Sequence, residues 1–190
     1  MVQAQPQQRP PYATLAIFIV TAGCTALEFT RFTLVPALER TPAALASHQW
    51  WRLITPLFVN PEGWRQIAVN FTALAILGTI VERRFGAGRW LTLYFASGLV
   101  GTIAGYAWKP LGAGSSVAIA GLLGALAAIL AWGAAPQGRV GTAMILGGAL
   151  VLCYFRDMHG PPILFGFALA ALMLRRANPP HRRHSMTQIV

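Results

Sequence analysis

Six apolar runs, each bounded by prolines, glycines or arginines, leave this chain little choice of solvent. They lie at Tyr12–Phe29, Trp64–Val81, Trp90–Trp108, Ser115–Gly133, Val140–Phe155 and Gly160–Leu174. A bilayer's hydrocarbon core is about 30 Å thick and takes about 20 helical residues to cross. Four runs, at 18 or 19 residues, match that length; the last two, at 16 and 15, are expected to sit among longer helices or in thinned bilayer. Charged residues are 11% of the 190, against roughly 25% in a soluble domain. The sequence therefore reads as an all-α membrane protein with six transmembrane helices.

The connections carry the rest of the organisation. Residues 1–11 are rich in Gln and Pro and read as a flexible tail, residues 12–176 as the transmembrane domain, and residues 177–190 as a basic, disordered tail. The first apolar run lacks a clean small-residue cleavage site and is expected to be a retained helix rather than a signal peptide. Between Thr30 and Gly63 four prolines alternate with Leu, Phe and the pair Trp50-Trp51. That mixture suits an interfacial loop with short helices at headgroup depth.

The net charge is +10. The basic residues sit in connections and tails and form no aromatic-interleaved patch, so they point to membrane anchoring and not to nucleic acid. With the N-terminus inside, nine arginines collect on the cytoplasmic side and six basic residues on the other, most of them in the long first loop whose charges count least. Both termini are thus expected in the cytoplasm. Arginine outnumbers lysine 14 to 1 and alanine is abundant, a bias of GC-rich coding that suggests a bacterial inner or plasma membrane. Cys24 and Cys153 lie within apolar runs and read as buried thiols, and no metal-ligand or cofactor motif is visible. Glu28 and Glu82 close their runs and are expected to pair with Arg31 and with Arg83 or Arg84.

Small residues recur at helical spacing in two runs, Ala120, Gly124 and Ala128 in the fourth and Gly166 and Ala170 in the sixth. Such faces let helix backbones approach closely where lipid supplies no drive between them. Both runs pass from outside to inside in the expected topology, which sets Ala120 and His159 at similar depth near the outer face.

Several phrases from Gln49 to Leu174 resemble the rhomboid family of intramembrane serine proteases: Trp51-Arg52 in the first loop, Gly78 followed by Glu82-Arg83 and Gly86, and Tyr94-Phe95-Ala96-Ser97-Gly98. The resemblance implies a rhomboid-like bundle with a serine near the outer end of the fourth span, in Gly-x-Ser-Gly, and a histidine near the outer end of the sixth, about seven residues before a packing glycine. His159 and Gly166 fit the second element. Taking Ala118 for the first glycine sets Ala120 at the serine. Asn70 then keeps one oxyanion position, Gln66 stands at the other where the family has His, and Gly124 replaces an aromatic Tyr.

A chain without the nucleophile has no covalent mechanism. The leading expectation is accordingly a pseudoprotease that binds transmembrane segments of clients without cutting them, with the lipid bilayer as its other partner and no cofactor. An active intramembrane serine endopeptidase with a non-standard nucleophile is the alternative, and a small transporter or channel subunit a second one. Ser115 and Ser116 read most simply as caps of the fourth helix, a turn too far out to replace a nucleophile at position 120. His159 would equally form a plain interfacial pair with Asp157.

Overall fold

A computed structural model of the chain describes residues 10–30, 34–133 and 135–177. The expected terminal tails, apart from Pro10, Pro11 and Ala177, and the Glu28–Arg31 pair involve residues outside these stretches. Among the described residues the fold is all helical, without a strand.

Helix α1 (Tyr12–Glu28) is followed by two short helices, α2 (Leu34–Leu38) and α3 (Pro42–Ala46), and two single 3₁₀ turns, Trp50–Leu53 and Thr55–Phe58. A continuous helical rod then runs from Trp64 to Phe85, as α4 (Trp64–Ala73), a π turn (Leu74–Gly78) and α5 (Thr79–Phe85). Four long helices complete the bundle: α6 (Ala87–Trp108), α7 (Ser116–Trp132), α8 (Pro136–Tyr154) and α9 (Gly160–Ala177). The 22-residue Trp64–Phe85 rod is long and apolar enough to cross a membrane, while Tyr12–Glu28 and Ser116–Trp132 are apolar but shorter.

The last two helices are longer than their apolar runs. α8 starts at Pro136, where a proline's missing N–H costs nothing, and continues through Gln137 and Arg139. α9 carries Arg175 and Arg176 in its last turn, with the Arg175 guanidinium 5.8 Å from the Trp132 ring centre. Polar residues prolong a helix beyond its apolar stretch when they can reach the interface.

Helix α7, apolar from Val117 onward, forms the centre, packed on α6, α8 and α9. Its small-residue face meets that of α9 as expected. A Cβ on Gly124 would strike the Ile163 carbonyl and come within 2.8 Å of the Phe167 nitrogen, and one on Gly166 would strike the Gly121 carbonyl. On the other side Trp90 and Tyr94 of α6 stack at 5.2 Å between centres and are fully buried with Leu93. Burying groups of this size contributes on the order of 1.5–3 kcal/mol each in water, less where lipid replaces the solvent.

The first loop is only partly exposed. Trp50 and Trp51 are more than half exposed, whereas Leu57, Val59 and Arg40 are inside the bundle. Arg40 pairs through its backbone with Gly112, its Nε donates to the Lys109 carbonyl at 3.1 Å, and Nη2 lies 3.0 Å from the Met158 sulfur. One buried guanidinium thus ties the first loop to the turns that open α7 and α9. Glu82 also departs from expectation. Instead of pairing with its arginine neighbours, its carboxylate accepts the N–H groups of Ala13 (2.9 Å) and Thr14 (2.6 Å) and caps α1, whose own N-cap, Pro11, offers no side-chain acceptor. Orphan N–H groups at a helix start and the positive end of its dipole favour a carboxylate there. Glu28 caps in the same manner, accepting from the N–H groups of Leu34 and Val35.

Candidate active site

The chain between α6 and α7 does not stay at the rim. Gly112 and Gly114 take φ of +127° and +153°, conformations open to glycine and strained for other residues, and they turn the segment inward. Ala113 and Ser115 are consequently buried at 3% and 0% exposure. Ser116 therefore begins α7 below the surface.

The α8–α9 connection turns as tightly. Arg156 adopts φ +56°, the Asp157 N–H reaches back to the Leu152 carbonyl at 2.8 Å, and the Asp157 carboxylate accepts the backbone N–H of His159 at 2.9 Å. This closed turn delivers the imidazole to the start of α7. His159 Nε2 lies 2.9 Å from Ser116 Oγ, and Nδ1 lies 2.6 Å from Asp157 Oδ1. An ionised carboxylate only accepts, so the proton belongs on Nδ1, leaving Nε2 to accept the Ser116 hydroxyl. Lys109 Nζ contacts the other Asp157 oxygen at 3.2 Å. Burial alone would raise the Asp157 pKa, but the backbone N–H and ring of His159, with Lys109, outweigh it and hold the carboxyl down at about 2.

Ser116 and His159 open onto a cleft of about 430 Å³, whose opposite wall is the first turns of α4, with Glu62 and Arg65 at the mouth and Gln66 and Asn70 deeper. Gln66 accepts the Glu62 N–H through Oε1 at 2.9 Å. Asn70 is buried and donates Nδ2 to Asn60 Oδ1 at 2.7 Å. That same oxygen accepts from Ser115 Oγ at 3.2 Å and from its N–H at 3.4 Å, so Asn60 joins the polar wall of α4 to the residue beside Ser116. Asn60 has no part in the expected site; an Asn-Pro pair before a helix reads locally as a turn, and only the tertiary fold shows what it holds.

The sequence expectation for position 120 needs correction. The side chain opposite His159 is Ser116, and Ala120 lies one turn farther along α7, packed with Ala149 and Ile163. The serines are not a turn too far out, because the buried entry of α7 sets its first residue at the depth of His159. Nor do they cap: Ser115 occupies the N-cap position without a side-chain cap bond, and its hydroxyl turns to Asn60. The signal was present in Gly114-Ser115-Ser116, which supplies the Gly-x-Ser of the resembled element in a register four residues earlier. His159, Asn70 and Gln66 do converge on the cleft, and the His159–Asp157 pair forms as well.

The comparisons with known proteins agree with this fold. The Rhomboid domain family model matches residues 47–176. The chain is 43% identical over 95 residues to Rhomboid protease GluP of Bacillus subtilis (strain 168), a stretch covering 50% of this chain and 18% of that one. It is 36% identical over 83 residues to the Putative rhomboid protease YdcA of the same organism, covering 42% and 41%. Rhomboid-like protease 3 of Toxoplasma gondii matches at 31% over 87 residues, covering 45% and 33%. The matched stretches therefore span less than half the length of each relative. With the model covering more than half of this sequence, the chain belongs to the rhomboid family of membrane proteins.

Proposed function

We propose that the chain is a rhomboid-type intramembrane serine endopeptidase with Ser116 as nucleophile and His159 as general base. The observation that carries this reading is the 2.9 Å approach of Ser116 Oγ to His159 Nε2 at the edge of an open polar cleft. The pseudoprotease reading took Ala120 for the nucleophile's position, and the hydroxyl opposite His159 favours Ser116 in that role instead. The names of the three relatives, two of them given as proteases and one as a putative protease, support the same direction.

The chemistry follows from the geometry. As Ser116 Oγ attacks a scissile carbonyl, His159 Nε2 takes its proton, and the carbonyl oxygen gains negative charge. The amides of Asn70 and Gln66 line the cleft and supply donors for that charge, as does the backbone N–H of Ser116 at the start of α7. Collapse of the tetrahedral adduct breaks the C–N bond. His159 returns its proton to the departing amine, leaving an acyl-Ser116 ester that water hydrolyses by the reverse proton path. Asn70 must exchange its bond to Asn60 for one to the substrate.

The substrate class is the transmembrane segment of another protein, unwound to reach the cleft from the bilayer. All six long helices cross the membrane in this reading, with both termini cytoplasmic in a bacterial inner or plasma membrane, and the site lies near the outer face. Purified protein treated with a fluorophosphonate is expected to carry one adduct on Ser116 that Ser116→Ala removes. Absence of an adduct, or cleavage of a transmembrane substrate that survives both Ser116→Ala and His159→Ala, would overturn the assignment; a chain that binds such segments without cutting them would restore the pseudoprotease reading.

A further inference from the structure

Resting on the protease reading, we infer that Asp157 is a positioning residue that makes this site a three-membered Ser116–His159–Asp157 array, with Lys109 held behind the carboxylate. The geometry is specific. One oxygen, Oδ1, receives both the backbone N–H of His159 at 2.9 Å and its ring Nδ1 at 2.6 Å, so the carboxylate fixes the main chain and the imidazole of the same residue together. The second oxygen is engaged by Lys109 at 3.2 Å, which leaves the carboxylate little freedom to turn away. A line of contacts runs from the end of α6 through the α8–α9 turn to the start of α7.

This arrangement does two things that a serine and histidine alone do not. It selects the tautomer in which Nε2 is unprotonated and free to take the Ser116 proton, and it places a fixed negative charge beside the imidazolium formed in the attack. The carboxylate does not itself take the proton; it orients and stabilises. Its depressed pKa fits a group that stays ionised throughout the working range. The other charged side chains at the cleft, Glu62 and Arg65, approach from α4 and the turn before it, so the only carboxylate on the Nδ1 side among the described residues is Asp157. Here the acid lies two residues before its histidine, and a single turn builds the pair, which explains why Arg156 tolerates a left-handed conformation.

A plain structural role would leave the ring chemistry unchanged, since Asp157 also closes the turn before α9. The test therefore reads the ring. In detergent-solubilised full-length protein with ¹⁵N-labelled histidine, the His159 resonances, assigned by their loss in His159→Gln, are expected to report the Nδ1–H tautomer at mildly alkaline pH. The near-isosteric Asp157→Asn is expected to shift them toward Nε2–H, because an amide can donate to Nδ1. In the same samples the fluorophosphonate labelling rate should fall about 10²-fold or more, and the acid limb of its pH profile should move to lower pH as the neighbouring charge is lost. An identical tautomer in wild type and Asp157→Asn, or labelling with an unchanged rate and pH profile, would overturn the inference. A tautomer that depends on Asp157 in a protein that takes no adduct would instead sink the protease reading while leaving the hold of Asp157 on the ring intact.

Discussion

Gly124→Ala should slow fluorophosphonate labelling of the proposed site about 10²-fold through packing alone, without touching a reacting group. The added Cβ would lie within 2.8 Å of the Phe167 nitrogen and closer still to the Ile163 carbonyl. Ordinary heavy-atom contacts are about 3.5–4.0 Å, so α7 and α9 must part by about 1 Å. Both obstacles are helix backbone, which cannot move aside as a side-chain tip can. Ser116 and His159 stand at the starts of these two helices, and the same parting would stretch their 2.9 Å bond to about 4 Å, beyond hydrogen-bonding range. A 1 Å misplacement costs on the order of 10²-fold in rate, and overpacking about 1–3 kcal/mol in stability. Gly147→Ala is the control. It lies in α8 with nothing within 4 Å of the added Cβ, and the change favours a helix by about 0.5–1 kcal/mol. Fluorophosphonate labelling rate and thermal midpoint, measured in detergent, report the two effects. A Gly124→Ala protein that melts and labels like wild type would refute both the close α7–α9 contact and its role in holding the pair.

Removing the Glu82 carboxylate should separate stability from the site. Glu82→Gln weakens a charged cap on Ala13 and Thr14, lowering stability by about 1–2 kcal/mol, yet labelling at a temperature below the transition should stay near wild type. Asn60→Ala should do both kinds of damage: it leaves Asn70 and Ser115 donors without their shared acceptor, costs about 1–3 kcal/mol, and slows labelling about 10- to 100-fold, short of outright loss of an oxyanion donor. Asp157 sets a pH dependence of stability. Its folded pKa of about 2 lies below the usual 3.8, so its contribution is complete above about pH 4 and disappears as pH falls toward 2. The shift converts to about 2 kcal/mol before screening and about 1 after it, for a carboxylate a quarter exposed. The difference in melting midpoint between wild type and Asp157→Asn should accordingly shrink between pH 4 and pH 2, and a constant difference would count against the ion pair.

What the sequence could and could not reveal follows the range of each interaction. Apolar runs and their breakers located the six long helices to within a few residues, because helix placement in a run depends on local composition. The α7–α9 contact was legible in Gly124 and Gly166, since small residues at helical spacing have few other uses in a bundle. His159, Asn70 and Gln66, singled out in the sequence, line one cleft. The depth of α7 was another matter. Periodicity gives a face and not a height, and a four-residue slip leaves the small-residue face of a helix nearly unchanged while moving every side chain about 6 Å along the axis. Only the inward turn at Gly112 and Gly114 fixes that height, and it does so through contacts with Asn60 and Arg40, more than fifty residues earlier in the chain. The same remoteness hid the cap of α1 by Glu82, 68 residues from Thr14. At Glu82 the slip between local expectation and fold alters only a structural role; at Ser116 it sets a hydroxyl rather than a methyl opposite His159, which is why a reading of Ala120 and a reading of Ser116 lead to opposite proposals from nearly the same helix.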